Sequence, residues 1–94
     1  MSDIYVDEKG NMSPVDPKNR RAYSIGELQE KLDGYLVDLV DVGKYYVAVS
    51  LDGKSTPRRP NFLATMWLKS VGINDEVLGP AMLIRKEAWN GGSD

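Results

Sequence analysis

The sequence contains no cysteine and no histidine. Neither a disulfide nor the usual ligand set of a structural zinc ion is available to hold the fold together. The 94 residues must therefore be stabilised by packing, and a chain of this length has room for one hydrophobic core. We expect a single domain over residues 1–89 and a flexible tail, Asn90-Gly91-Gly92-Ser93-Asp94, over 90–94. A core this small leaves a narrow stability margin. Self-association into a homo-oligomer would widen it.

Local signals divide the chain into seven elements. Ile4–Val6 reads as a short strand, Lys9-Gly10-Asn11 as a turn, and Met12–Val15 as a second strand. Pro14 restricts that second strand to a sheet edge, because proline cannot donate to a ladder. Ser24-Ile25-Gly26-Glu27 has the form of a capping box, in which Ser24 accepts from the Glu27 amide and Glu27 reaches back to Ser24. The helix it opens runs to about Asp33, with Ile25, Leu28 and Leu32 on one face and Gly34 as the left-handed stop. Tyr35–Val40 and Tyr45–Ser50, joined by Asp41-Val42-Gly43-Lys44, form a hairpin signature. Within the second of these strands Tyr45, Val47 and Val49 share one face, so one of Tyr45 and Tyr46 should face away from the core.

Asp52-Gly53 marks a further turn. Asn61 is a suitable N-cap for a second helix, Phe62 to about Val71, whose buried stripe is expected at Leu63, Met66, Trp67 and Ser70. Glu76–Leu78 and Ala81–Ile84 read as strand divided by Gly79-Pro80. Trp89 should cap the edge of the core or enter a neighbouring subunit. The order β-β-α-β-β-α-β and the short connections predict an α+β fold. It would be a small, mainly antiparallel sheet of about five strands with two helices packed on one face.

Composition narrows function as well as fold. Apolar residues make up 41% and charged residues 28% of the chain, values typical of folded domains. The net charge of −2 lacks the basic excess of a nucleic-acid binder. No apolar run approaches the ~20 residues of a membrane span. The first residues carry no basic start or apolar core of a signal peptide, so a cytoplasmic location is expected. Without histidine or cysteine, the commonest general base and the thiol nucleophile are missing. No carboxylate pair stands out, since Asp7 with Glu8 and Asp75 with Glu76 fall in turns and loops. A binding protein that is not an enzyme, with no metal or cofactor, is the expectation.

One segment has the chemistry of an anion site. Gly53-Lys54-Ser55-Thr56 ends like a phosphate-binding P-loop, but the required earlier glycine is Ala48, and Pro57 blocks the helix that should follow. A hairpin turn is the better reading. Beyond it, Arg58 and Arg59 stand just before the Asn61 helix start, where free amides and the helix dipole favour an anion and arginine adds bidentate recognition. We expect Lys54, Arg58, Arg59 and Asn61 to form the ligand-binding residues, with Tyr46 available to stack on a base. Ordinary alternatives stand beside each: a solvated basic loop for the arginines and cross-strand packing for the tyrosine. Arg20-Arg21 is a second basic pair ahead of the first helix.

The order of several short pieces carries a resemblance. Leu28-Gln29 and Gly34-Tyr35 end the first helix and open a strand, and Asp52-Gly53-Lys54 makes a turn. Pro60-Asn61 precedes Ala64-Thr65, and Asp75, Val77 and Gly79 follow late. This arrangement, over roughly residues 25–85, resembles a family of small uncharacterised proteins from phages and mobile elements. Where that family has a first glycine of a pair, this chain has Asp33, and Arg58-Arg59 is not part of the pattern. The resemblance implies a counter-defence or host-takeover protein in the host cytoplasm. Such a protein would sequester an anionic, nucleotide-like ligand or block a host protein. A nucleic-acid-binding accessory protein is the alternative.

Overall fold

Two apolar runs without alternation, Val47-Ala48-Val49 and Ala81-Met82-Leu83-Ile84, explain the architecture. A strand with apolar side chains at every position is one that buries both faces. The structure, a computed structural model, describes residues 3–34, 36–52 and 59–89. Its elements are β1 (Asp3–Val6), β2 (Met12–Val15), α1 (Ile25–Leu32), β3 (Val37–Asp41), β4 (Tyr45–Ser50), α2 (Phe62–Lys69), β5 (Ala81–Arg85) and a 3-10 turn over Lys86–Ala88. The strands form one five-stranded sheet in the order β2-β1-β5-β4-β3. Every neighbouring pair is antiparallel. The α+β class, the antiparallel sheet and the edge position of the proline-bearing β2 follow the sequence-based expectation.

The helices do not share a face. Val6, Val47, Val49 and Ala81 pack with Ala64 and Leu68 of α2. Ala48, Met82 and Ile84 pack with Leu28 and Leu32 of α1. Because adjacent strand residues point to opposite sides, α1 and α2 lie on opposite faces of β4 and β5. The expected one-sided layer is therefore corrected to a helix–sheet–helix sandwich. Tyr45 and Tyr46 are both half-buried, and as expected for neighbours on a strand they part company: Tyr45 belongs to neither cluster, and Tyr46 packs against the α1-side cluster. Trp89 packs there as well, beside Tyr23 across an isolated bridge.

Several boundaries differ from expectation. Residues 76–78 are not a strand, and only Leu78 bridges, to Pro60. In α2 the buried positions are Ala64 and Leu68, flanked by Leu63 and Trp67, whereas Met66 is 65% exposed and Ser70 is exposed. The dense apolar content of Phe62-Leu63-Ala64-Thr65-Met66-Trp67-Leu68 offers more than one stripe, and tertiary packing selected the one centred on the smallest residue, Ala64. Half of the capping box forms as expected: Ser24 Oγ accepts from Glu27 N at 3.1 Å. The Glu27 carboxylate, however, is buried and accepts from Lys18 N at 3.0 Å, tying down the loop before α1. Lys31 Nζ lies 3.7 Å from the same carboxylate.

The helix stop also divides differently. Asp33, not Gly34, takes the left-handed conformation, with φ 51° and ψ 49°. Gly34 is required for space: a Cβ there would lie 1.7 Å from Ser50 Oγ and 3.0 Å from the Asp52 carbonyl oxygen. Ser50 cannot simply turn aside, because its hydroxyl donates to that carbonyl.

Asn61 is the polar centre of the α2 side. It is fully buried. Its Oδ1 accepts from Ala64 N at 3.1 Å and caps α2, while Nδ2 donates to Gly79 O at 2.9 Å and Val6 O at 3.4 Å. Its backbone N donates to Val77 O at 2.8 Å. Thr65 Oγ1 donates to Asn61 O at 2.8 Å and accepts from Val77 N at 2.9 Å. One side chain thus joins β1, the start of α2 and the segment leading into β5.

Two pairs of substitutions test these local assignments by chemical denaturation. Gly34→Ala should destabilise by about 1–3 kcal/mol through overpacking, whereas Asp33→Gly should be neutral or stabilise by up to about 1 kcal/mol by relieving a left-handed non-glycine residue. Losses of equal size at the two positions would contradict the division of roles. Asn61→Ala should cost about 2–4 kcal/mol, combining a lost cap with buried carbonyls left without a donor. Asn61→Asp keeps the capping oxygen but faces the same carbonyls with an acceptor, so it should rescue little.

Candidate functional site

Of the residues expected to bind an anion, Arg59, Asn61 and Tyr46 are described, and Tyr46 lies across the sheet from the other two. Lys54 and Arg58 lie outside the described residues. Asn61 is interior, and both ends of its amide are bonded to the protein's own backbone. Tyr46 lies on the α1 face of β4, with the sheet between it and the start of α2. Lys86 Nζ sits 5.3 Å from the centre of its ring and makes a 2.9 Å ion pair with Asp41. One face of Tyr46 therefore already holds a cation.

Arg59 is exposed, and its surroundings are acidic. Its backbone N donates to Glu8 Oε2 at 2.5 Å, and its O accepts from Gly79 N at 2.8 Å. A shallow dish beside it is lined by Asp7, Glu8, Lys9, Asn11 and Arg59. Asp7 Oδ1 accepts from Lys9 N and Asn11 N, both at 2.9 Å. These bonds, the one from Asn11 foremost, hold the Asp7 carboxyl below its usual range. A carboxylate of the protein itself thus engages the Arg59 amide, just ahead of the start of α2. Of the second basic pair, Arg20 adopts a positive φ of 63° in the exposed loop before α1.

A different feature gathers chemistry on the α2 face. Between α2, the segment before β5 and the β3–β4 hairpin lies a groove of about 380 Å³. Val40, Val49, Leu68 and Val77 supply apolar lining, and Asp38, Asp75 and Glu76 supply carboxylates. Those three side chains are exposed, and none is in an ion pair among the described residues. Leu51 and Leu78 also line the groove and are exposed. By sequence alone Asp75 and Glu76 fall in a loop and do not stand out as a pair. The missed signal was Val37-Asp38-Leu39-Val40-Asp41, a strand whose carboxylate at Asp38 projects to the same face as Val40.

A buried polar group lies on the other face. Asp3 Oδ1 accepts from Arg85 N at 2.9 Å and from Arg85 Nε at 3.0 Å. Tyr23 is fully buried, and neither its hydroxyl nor Asp3 Oδ2 has a partner at hydrogen-bonding geometry. Burial, and then the neighbouring Asp3, push the Tyr23 phenol well above its ordinary pKa. This buried phenol stays neutral and packs in the α1-side cluster.

Among the described residues no group of three or more His, Cys, Asp or Glu side chains is arranged to hold a metal ion. Nor is any helix among them long and apolar enough to cross a membrane. Comparison of the chain with models of protein families, with curated proteins and with solved structures finds no match to any of them.

Proposed function

We propose that this chain is a non-enzymatic binding protein whose target is another protein. The observation that carries the reading is the apolar surface left outside the sandwich. Phe62 and Met66, one turn apart on the outer side of α2, are 74% and 65% exposed. Leu36 and Leu51, neighbours across the β3–β4 hairpin, are 59% and 60% exposed. Scattered exposed apolar residues are ordinary, but grouped ones are characteristic of contact surfaces.

The alternatives find less support. Small-molecule sites are concave and partly enclosed, with convergent polar groups. Here Asn61 is engaged in the interior and Glu8 stands at the Arg59 amide, which disfavours a sequestered nucleotide-like anion. A negative net charge and an acidic groove disfavour nucleic acid. The resemblance to small phage and mobile-element proteins supports a more particular form of the reading. In that form the protein acts in the host cytoplasm and blocks a host protein, as a counter-defence or host-takeover factor.

Affinity capture from host lysate, followed by native mass spectrometry of the eluted complex, tests the proposal. The wild-type chain should retain one host protein in stoichiometric amount. Either Phe62→Glu with Met66→Glu or Leu36→Glu with Leu51→Glu should release it. Both variants should keep the wild-type melting temperature to within a few degrees, since exposed substitutions typically change stability by only about 0.5 kcal/mol. Elution of a bound nucleotide or of nucleic acid in place of a protein would overturn the reading. So would a protein partner indifferent to both variants.

A further inference from the structure

β3 ends the sheet on its side. Leu36 O accepts from Leu51 N at 2.7 Å, and Val42 N donates to Tyr45 O at 3.0 Å. The even-numbered residues of this segment therefore turn their amides and carbonyls toward β4. Strand alternation turns those of Val37, Leu39 and Asp41 outward. Among the described residues, no backbone group bonds to them there. The opposite edge, β2, contains Pro14, which lacks an amide to donate. The two edges are thus unlike: one is blunted, and the other, among the described residues, is a free template for a further strand.

The side chains of the β3 edge differ between its faces. On the α1 face Val37 and Leu39 are half-buried and border the apolar cluster. On the α2 face Asp38 stands at the rim of the groove, with Asp75 and Glu76 beyond it and Val40 and Val49 in its lining. A strand laid along this edge would meet carboxylates with every second side chain and aliphatic surface with the others.

We propose that the β3 edge accepts an extended segment of the partner protein in which lysine or arginine alternates with aliphatic residues. The segment adds a sixth strand to the sheet. Its main chain bonds to Val37, Leu39 and Asp41. Its basic side chains run into the groove, with their aliphatic stems on Val40 and Val49 and their charged heads at Asp38, Asp75 and Glu76. Its aliphatic side chains cover Val37 and Leu39. Charge complementarity selects the occupant: an acidic segment would be repelled by three carboxylates unpaired among the described residues, and a uniformly apolar one would leave them desolvated without partners.

This peptide site rests on the protein-binding reading above and assigns it a surface and a partner chemistry. The test uses a fluorescein-labelled peptide of alternating valine and lysine, titrated by anisotropy and mapped by amide shifts in a proton–nitrogen correlation spectrum. Three control peptides accompany it. One has the same composition with its lysines grouped at one end, one alternates valine with glutamate, and one carries N-methyl groups on alternate backbone amides. Each control should bind at least about tenfold more weakly, as should the alternating peptide to Asp38→Lys with Glu76→Lys. Shifts should centre on Val37, Leu39 and Asp41. The methylated peptide leaves the protein unaltered, so its result stands even if the double variant folds poorly.

Equal binding of the grouped or methylated peptide, shifts centred elsewhere, or no binding at all would overturn the site. So would a concentration-dependent dimer that protects β3, which would give the edge to a second copy of this chain. If the peptide fails while a captured partner still depends on the exposed apolar residues, the peptide site falls alone. If the peptide binds as described but no protein partner is captured, the broader reading falls and the site remains.

Discussion

Burial of β4 and β5 on both faces is the constraint from which the other features descend. Val47 and Val49 face α2 while Ala48 faces α1, and Ala81 and Leu83 oppose Met82 and Ile84 in the same way. Each face therefore needs its own cover, and the chain supplies one eight-residue helix for each. A helix is about 10 Å across and eight residues make about 12 Å of it, whereas five strands span about 19 Å. One helix per face covers the central strands and cannot reach both edges. The groove beside α2 and the edge of β3 left open among the described residues are the consequence of that mismatch, and they are the surface on which the proposed partner would dock.

With such short helices, position is set more by polar anchors than by buried area. Asn61 is the principal one on the α2 side. Its amide and backbone connect Val6, Ala64, Val77 and Gly79, and Thr65 closes the circuit through Val77. On the α1 side Glu27 fastens the preceding loop at Lys18, and Gly34 lets the chain pass directly against Ser50. These contacts give a physical reason for the spaced pieces of the sequence pattern. Pro60, Asn61, Ala64, Thr65, Val77 and Gly79 all belong to the Asn61 network or to the bridge beside it. That later part of the pattern is a description of how α2 is fastened.

Much of the fold was legible in local signals. The Ser24 cap, the Leu28 and Leu32 stripe, the Gly43 turn and the edge placement of Pro14 each arise from interactions within a few residues, and each reads directly from sequence. The two-sided sheet was legible too, in Val47-Ala48-Val49 and Ala81-Met82-Leu83-Ile84, but topology inferred from short connections outweighed it. Met66 was misplaced because a helix apolar on most sides does not declare which side is buried. The candidate site was the least legible part. Arg59 and Asn61 look like an anion site in sequence, and only the long-range contacts with Glu8, Val6 and Gly79 show that the Arg59 amide and the Asn61 side chain are already engaged. Asp38, Asp75 and Glu76 meet because β3 and the segment before β5 converge across the α2 face, a proximity that no local spacing encodes.

Among the described residues the outer edge of β3 is uncovered while the strands inside it are sealed. Residue-resolved amide hydrogen exchange of the free protein measures this directly. An alternating pattern is expected in β3, with Asp38 and Val40 protected through their bonds to β4 and Val37, Leu39 and Asp41 exchanging freely, beside continuous protection along β4 and β5. Uniform protection of all five β3 amides would contradict it, because the edge would then already be covered and the groove beside it would not be a docking surface.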